Sequence, residues 1–163
     1  MQPEQIIEKL GLIPLEPEGG MYSRTYTTQE TVNGRPMGSA IYYMLRGNAY
    51  SHLHMLDADE VYHFYIGDPV ELTQIDGQGN CFKTILGSDI ENGQQVQCVV
   101  PKNVWQGLRL VKGGEFALMG TTMSPGYTDN FYIHADPEEI KERYPLLTDT
   151  IKNLTCKDIG EDL

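Results

Sequence analysis

The tightest constraint on this chain is its punctuation. Turn residues recur at Gly47, Gly67-Asp68-Pro69, Asp76-Gly77-Gln78-Gly79-Asn80, Gly87, Gly93, Pro101 and Gly113-Gly114, too closely to leave room for packed helices. The pieces between them are rich in β-branched and aromatic residues and read as strands over residues 40–45, 50–56, 60–66, 70–75, 81–86, 95–100, 104–110 and 116–122. Residues 21–28 alternate in the same way. Asn33-Gly34 is a strong hairpin signal that puts Arg24 and its neighbours on one arm and residues 37–45 on the other. Many short strands joined by Gly/Pro turns indicate a sandwich or small barrel. No helical pattern lies between them to support a doubly wound sheet, so the fold class is all-β.

Helical periodicity is confined to the two ends. Residues 3–12 place Ile6, Ile7 and Leu10 on one stripe that Gly11 can end, and residues 137–144 form a charged helix with Asp136 as cap, Pro137 at its first position and Pro145 as stop. Beyond Thr148, the residues Ile151, Leu154 and Ile159 suit packing on the barrel or a weakly ordered end equally well. A chain of 163 residues fits one domain, with a barrel core over about 21–134 and a helical addition over about 136–160.

Composition narrows the setting. Cys81, Cys98 and Cys156 cannot all pair within one chain, which suits a reducing, cytoplasmic environment; Cys98 lies in an apolar strand and reads as an inert core thiol. The start Met-Gln-Pro-Glu-Gln-Ile has no basic region, and no apolar run approaches a membrane span, so no membrane partner is expected. Twelve basic against 23 acidic residues give a formal charge of -11. Nothing here supplies a basic stripe for phosphates, so nucleic acid is a poor partner.

One segment carries chemistry. His52 and His54 are two apart and share a strand face, and Glu60 follows the turn Asp57-Ala58-Asp59, so a hairpin can return it beside them. Counting by twos from Glu60 puts Tyr62, Phe64 and Ile66 on the inner face, and Val61, His63 and Tyr65 on the outer one. Two imidazoles and one carboxylate are also the minimal face of a non-haem iron or manganese centre.

Gly47, His52, His54, Glu60 and Gly67 together resemble the first signature of the cupins. The resemblance implies a double-stranded β-helix, the RmlC-like jelly-roll barrel, with a divalent metal (Fe, Mn, Ni or Zn) held by that motif and by a histidine from a second. Downstream this chain reads Pro101-Lys102-Asn103-Val104-Trp105-Gln106-Gly107. Asn103 stands at the expected glycine and Gln106 at the expected histidine. Glutamine is a weaker ligand than imidazole and can instead hydrogen-bond an organic ligand. Leu10-Gly11-Leu12, Pro17-Glu18-Gly19-Gly20, residues 40–45, residues 59–69, Val100-Pro101, Val104-Trp105-Gln106 and residues 121–126 are similar to the Cupin_5 group, formerly a domain of unknown function (DUF985). That similarity implies a sugar-epimerase-like shape and a homodimer.

These residues support three kinds of function. The first is a small-molecule binding module of uncharacterised activity, in which Arg24 and Arg46 meet an anionic group, Tyr42 and Phe64 form pocket wall or core, Trp105 stacks on a ring and Gln106 makes hydrogen bonds. The second is an epimerase or isomerase acting on a sugar-like molecule. It is either metal-dependent through His52, His54 and Glu60, or metal-free with His54 as general base and Tyr62 as proton donor. The third is a dimeric interaction protein without catalysis. Ser124-Pro125-Gly126 is a turn, and no Ser-His-Asp or Cys-His relay assembles.

Overall fold

A computed structural model describes residues 2–155; Cys156 and Ile159 lie outside the described residues. The chain begins with helix α1 (Pro3–Leu10), closed by Gly11 in the left-handed region at φ 61°, the backbone state in which a Cβ is least tolerated. The strands follow: β1 (Ile13–Pro14), β2 (Met21–Thr27), β3 (Thr31–Val32), β4 (Arg35–Pro36), β5 (Ser39–Arg46), β6 (Tyr50–Leu56), β7 (Glu60–Gly67), β8 (Val70–Ile75), β9 (Cys81–Leu86), β10 (Gln97–Val100), β11 (Trp105–Leu110), β12 (Phe116–Met123) and β13 (Tyr132–His134). Two helices end the described chain, α2 (Pro137–Arg143) and α3 (Thr148–Thr155). Asp136 caps α2 as predicted: its Oδ1 accepts from the backbone N–H groups of Glu138 and Glu139 at 3.0 Å. Among the described residues, no helix is long and apolar enough to cross a membrane.

The strands form two facing sheets. One has the order β1-β2-β5-β12-β7-β10, the other β13-β6-β11-β8-β9, and the chain switches sheets repeatedly between β5 and β12. The ladders between neighbouring long strands are antiparallel. This is the jelly-roll arrangement. Between the sheets, Tyr43, Leu45, Tyr62, Phe64 and Met119 from the first meet Val70, Leu72, Leu86 and Leu108 from the second. Asn33 and Gly34 both take positive φ (52° and 79°), as the predicted hairpin turn requires. The hairpin they make is the short β3–β4 pair, while the longer arms β2 and β5 pair beside it.

Each sheet has its outer cover. Helix α1 lays Ile6 on Met44, Leu12 and Leu118. Helices α2 and α3 lay Ile140, Ile151 and Leu154 over Leu53, Ile75 and Trp105, so Ile151 and Leu154 are core residues. Strands β6 and β11 of the second sheet are therefore largely buried on both faces, which removes the apolar/polar alternation that would mark their inner side.

Two local features depart from simple alternation. In the β7–β12 ladder Phe64 faces Met119 but Ile66 faces Leu118, so Tyr65 is an extra residue in a β-bulge. The bulge reverses the parity beyond it. Ile66, placed on the inner face by counting, is 46% exposed. At the barrel mouth, Arg35 pins the β3–β4 hairpin: it makes paired bonds to Asp57 at 2.7 and 2.9 Å, donates Nε–H to the Gly126 carbonyl at 2.8 Å and lies 4.6 Å from the Phe131 ring centre. Arg35→Ala is expected to lower stability by about 1–3 kcal/mol, with faster amide exchange confined to residues 28–38 and 124–131; unchanged exchange there would show that the clamp is dispensable.

Candidate functional site

The site is organised by the loop between β1 and β2. Leu15 exchanges hydrogen bonds with this loop, its N–H donating to the Gly20 carbonyl (3.0 Å) and its carbonyl accepting from Gly19 (2.7 Å). Gly19 has φ 101° and a Cβ there would sit 2.3 Å from the Tyr50 carbonyl oxygen; at Gly20, φ 74°, it would meet the Tyr43 hydroxyl at 2.6 Å. Only glycine fits this close approach. The result is to press Glu18 onto β6: the His52 N–H donates to the Glu18 carbonyl at 2.7 Å, and the Ser51 hydroxyl donates to Glu18 Oε1 at 2.8 Å. The Tyr43 hydroxyl closes the loop by donating to the Gly19 carbonyl at 2.9 Å.

Glu18 thereby faces Glu60 in a cavity of about 400 Å³ between the sheets. Tyr43, Tyr62 and Thr121 complete the inner wall, and Leu15, Ile41 and Met123 supply apolar surface. Toward the mouth stand Tyr22, Arg24, Tyr127 and Asp129, with the Arg24 guanidinium 5.7 Å from the Tyr127 ring centre. Arg24 borders the mouth because it pairs with Ile41, on the cavity side of β5, just before the β2–β5 register shifts.

The inner wall is strongly desolvated. Burial pushes the Glu18 carboxyl up to about 7, against the opposing Ser51 hydrogen bond. Burial also raises Glu60, followed by the nearby charge of Glu18; His54, Thr121 and Gln106 pull it back. Burial drives the Tyr43 and Tyr62 phenols well above their ordinary range, aided by Glu18 and Glu60. His54 is held below its usual value by burial, which outweighs the attraction of Glu60. These are groups that resist charge.

His54 lies behind the carboxyls. Its Nδ1–H donates to the His52 carbonyl at 2.7 Å, which fixes the tautomer and leaves Nε2 as the acceptor, 3.9 Å from Glu18 Oε2. The ring also stacks on Tyr132 at 5.2 Å. Glu18, not His54, is the side chain that reaches the cavity. Sequence reasoning missed it as a site residue: the signal was an acidic residue beside the Gly19-Gly20 pair, but nothing local says that the loop lands on β6.

The structure brings some predicted residues together and separates others. Glu60, Tyr62 and Arg24 line the cavity, and Gln106 supports it by donating from Nε2 to Glu60 Oε2 at 3.0 Å. His52 turns away. Its ring stacks on His134 at 3.6 Å and its Nε2–H donates to the Ala135 carbonyl at 3.0 Å, so that nitrogen has no lone pair to offer a metal. Among the described residues no group of three His, Cys, Asp or Glu side chains is placed to hold a metal ion. The triad of His52, His54 and Glu60 is not assembled, the donor set does not fit a metal, and no chemistry is derived through one.

Four further candidate residues lie apart from the cavity. Trp105 is packed under α2 and α3 on the outer side of its sheet, since successive strand residues face opposite ways and Gln106 takes the inner side. Tyr42 packs beneath α1 and edge-on to Tyr65. Phe64 belongs to the central core and does not border the cavity. Arg46 pairs with Glu4 at 3.1 Å on the surface. His63 is on the outer face, as parity predicts, bonded to Thr122 at 3.0 Å.

Comparison with known proteins agrees with this architecture. Protein SO0799 from Shewanella oneidensis is 30% identical over 95% of this chain and 98% of its own, with a TM-score of 0.90. A hypothetical protein from Leishmania major is 26% identical over 95% and 99%, with a TM-score of 0.89. Oxalate decarboxylase from Bacillus subtilis, a protein with Mn(II) centres, is 17% identical over 90% of this chain but only 38% of its own, with a TM-score of 0.57; this likeness is one of fold. No curated protein matches. The Cupin_5 family, described as cupin superfamily (DUF985), matches residues 4–132. With the jelly-roll barrel and that match over most of its length, the chain belongs to the Cupin_5 (DUF985) family of the cupin superfamily.

Proposed function

We propose that this protein binds a small organic molecule between its sheets. The observation that carries the reading is the cavity of about 400 Å³ in which Glu18, Glu60, Tyr43 and Tyr62 converge on one inner wall. A pocket of that size with a few converging polar groups is the usual form of a small-molecule site. Native mass spectrometry of freshly purified protein, with elemental analysis of the same sample, tests it. An organic adduct without stoichiometric metal is expected; one equivalent of a divalent metal would overturn the metal-free reading. Ile41→Trp fills the cavity without removing a polar group and is expected to abolish adduct retention, as is His54→Gln, whereas His63→Gln on the outer face should retain it. Equal retention in all three would place the ligand elsewhere.

A second reading, proton transfer on the bound molecule, is favoured by the Glu18–His54 arrangement. A carboxyl that holds its proton to about 7 can donate or accept near neutral pH. His54 Nε2 behind it makes His54 a positioning residue, and Tyr62 presents a neutral hydroxyl. An epimerisation or isomerisation would use these groups.

A homodimer belongs to the same proposal. Tyr26, Tyr65 and Val99 are half or nearly half exposed on the first sheet and offer apolar surface to a second copy. Light scattering should then return twice the 18.4 kDa chain mass; the single mass would refute it.

A further inference from the structure

We propose that the ligand is an organic cation, an amine bound as its ammonium against Glu18 and Glu60; this rests on the cavity being the binding site. The charges that border the cavity are Glu16, Glu18, Glu60 and Asp129 against Arg24 alone. Arg24 is exposed at the mouth and does not reach either inner carboxyl as an ion pair among the described residues. The basic group beside Glu18 is His54, at 3.9 Å, in a setting that favours its neutral form. The donors to Glu60 among the described residues are neutral: the Gln106 amide at 3.0 Å and the Thr121 and Tyr62 hydroxyls. Buried carboxylates are costly without a counter-charge, and a bound cation supplies it.

The hydrogen-bonding balance agrees. Gln106 is 1% exposed, donates to Glu60, and leaves its Oε1 without a hydrogen-bond partner. With the Glu60 carboxyl beside it, this part of the wall has acceptors in surplus. An ammonium group brings donors and no acceptor, whereas a polyol brings two acceptor lone pairs with each donor and a carboxylate brings acceptors only. The tyrosines add ring faces suited to a cation. Tyr127 already carries one in the guanidinium of Arg24 at 5.7 Å.

Three probes of one shape separate charge from fit: cyclohexylamine, cyclohexanol and cyclohexanecarboxylate, titrated calorimetrically near pH 8 into the full chain with EDTA present. The amine is expected to bind at least about 10-fold tighter than the alcohol, with no measurable binding of the carboxylate, and Glu18→Gln should reduce the amine-to-alcohol ratio below about 3-fold. Far-ultraviolet circular dichroism checks that the variant is folded. Equal affinity for amine and alcohol, tighter carboxylate binding, or an unchanged ratio in Glu18→Gln would overturn the cation assignment while the cavity reading stands. Binding by none of the three, or binding unaffected by Ile41→Trp, would remove the cavity reading and this assignment with it.

Discussion

Glu18→Gln is expected to stabilise the folded protein by roughly 2–3 kcal/mol near pH 8 while weakening its site. The folded carboxyl holds its proton to about 7, against 4.5 for the ordinary group. Between those values the native state binds the extra proton, so wild-type stability falls as pH rises from 4.5 through 7. The contribution is fully present below 4.5 and gone above 7. A shift of that size corresponds to about 3 kcal/mol, trimmed because the side chain is 14% exposed to the cavity. Glutamine keeps an oxygen to accept the Ser51 hydroxyl and does not titrate. Urea unfolding of both proteins at pH 4 and pH 8 should therefore show similar stabilities at the lower pH and a more stable variant at the higher. Parallel curves would mean that Glu18 is not desolvated in the fold.

Gly67→Ala is expected to cost about 2–5 kcal/mol, from positive-φ strain and a backbone clash together. Gly67 has φ 107°, and a Cβ there would lie 2.3 Å from the Phe116 carbonyl oxygen and 3.0 Å from the Ala117 Cα. Both obstacles are backbone of the neighbouring strand, so no side chain can swing aside. The Asp68 carboxylate next to it accepts from the Glu115 and Phe116 N–H groups at 2.7 and 3.2 Å, which ties the same turn to β12. Chemical denaturation reads the loss. Gly77→Ala is the control, since its added Cβ would meet nothing within 4 Å and its φ is not positive. Comparable losses at both positions would argue that the close approach at Gly67 is not limiting.

The strands were legible because glycine, proline and Asx residues mark their ends by local chemistry. Residues 50–56, 70–75 and 81–86 begin and end where turn signals predict. Strand β13 escaped notice because three residues give no periodicity. Its absence from the sequence reading explains the error at His52, whose ring is drawn to His134 on that strand. Trp105 was misplaced for a different reason. The helices that bury its face are distant in sequence, and a strand buried on both sides carries no alternation to read. Parity succeeded at Glu60, Tyr62 and His63 and failed at Ile66, where a bulge intervenes. Glu18 was the hardest to find, because its role depends on a loop docking against a strand more than thirty residues away.

The order of strands in the first sheet also constrains how the protein can be made. Strand β12 lies between β5 and β7, pairing Met123 with both Ser39 and Glu60. During translation the earlier strands leave the ribosome with the centre of their sheet missing. Until the segment around Met123 emerges, Glu18 and Glu60 have no closed wall around them, and the growing chain presents two unmatched strand edges to its surroundings. The cavity thus closes only late in synthesis, and a ribosome stalled before β12 would hold a nascent chain prone to pairing with its neighbours.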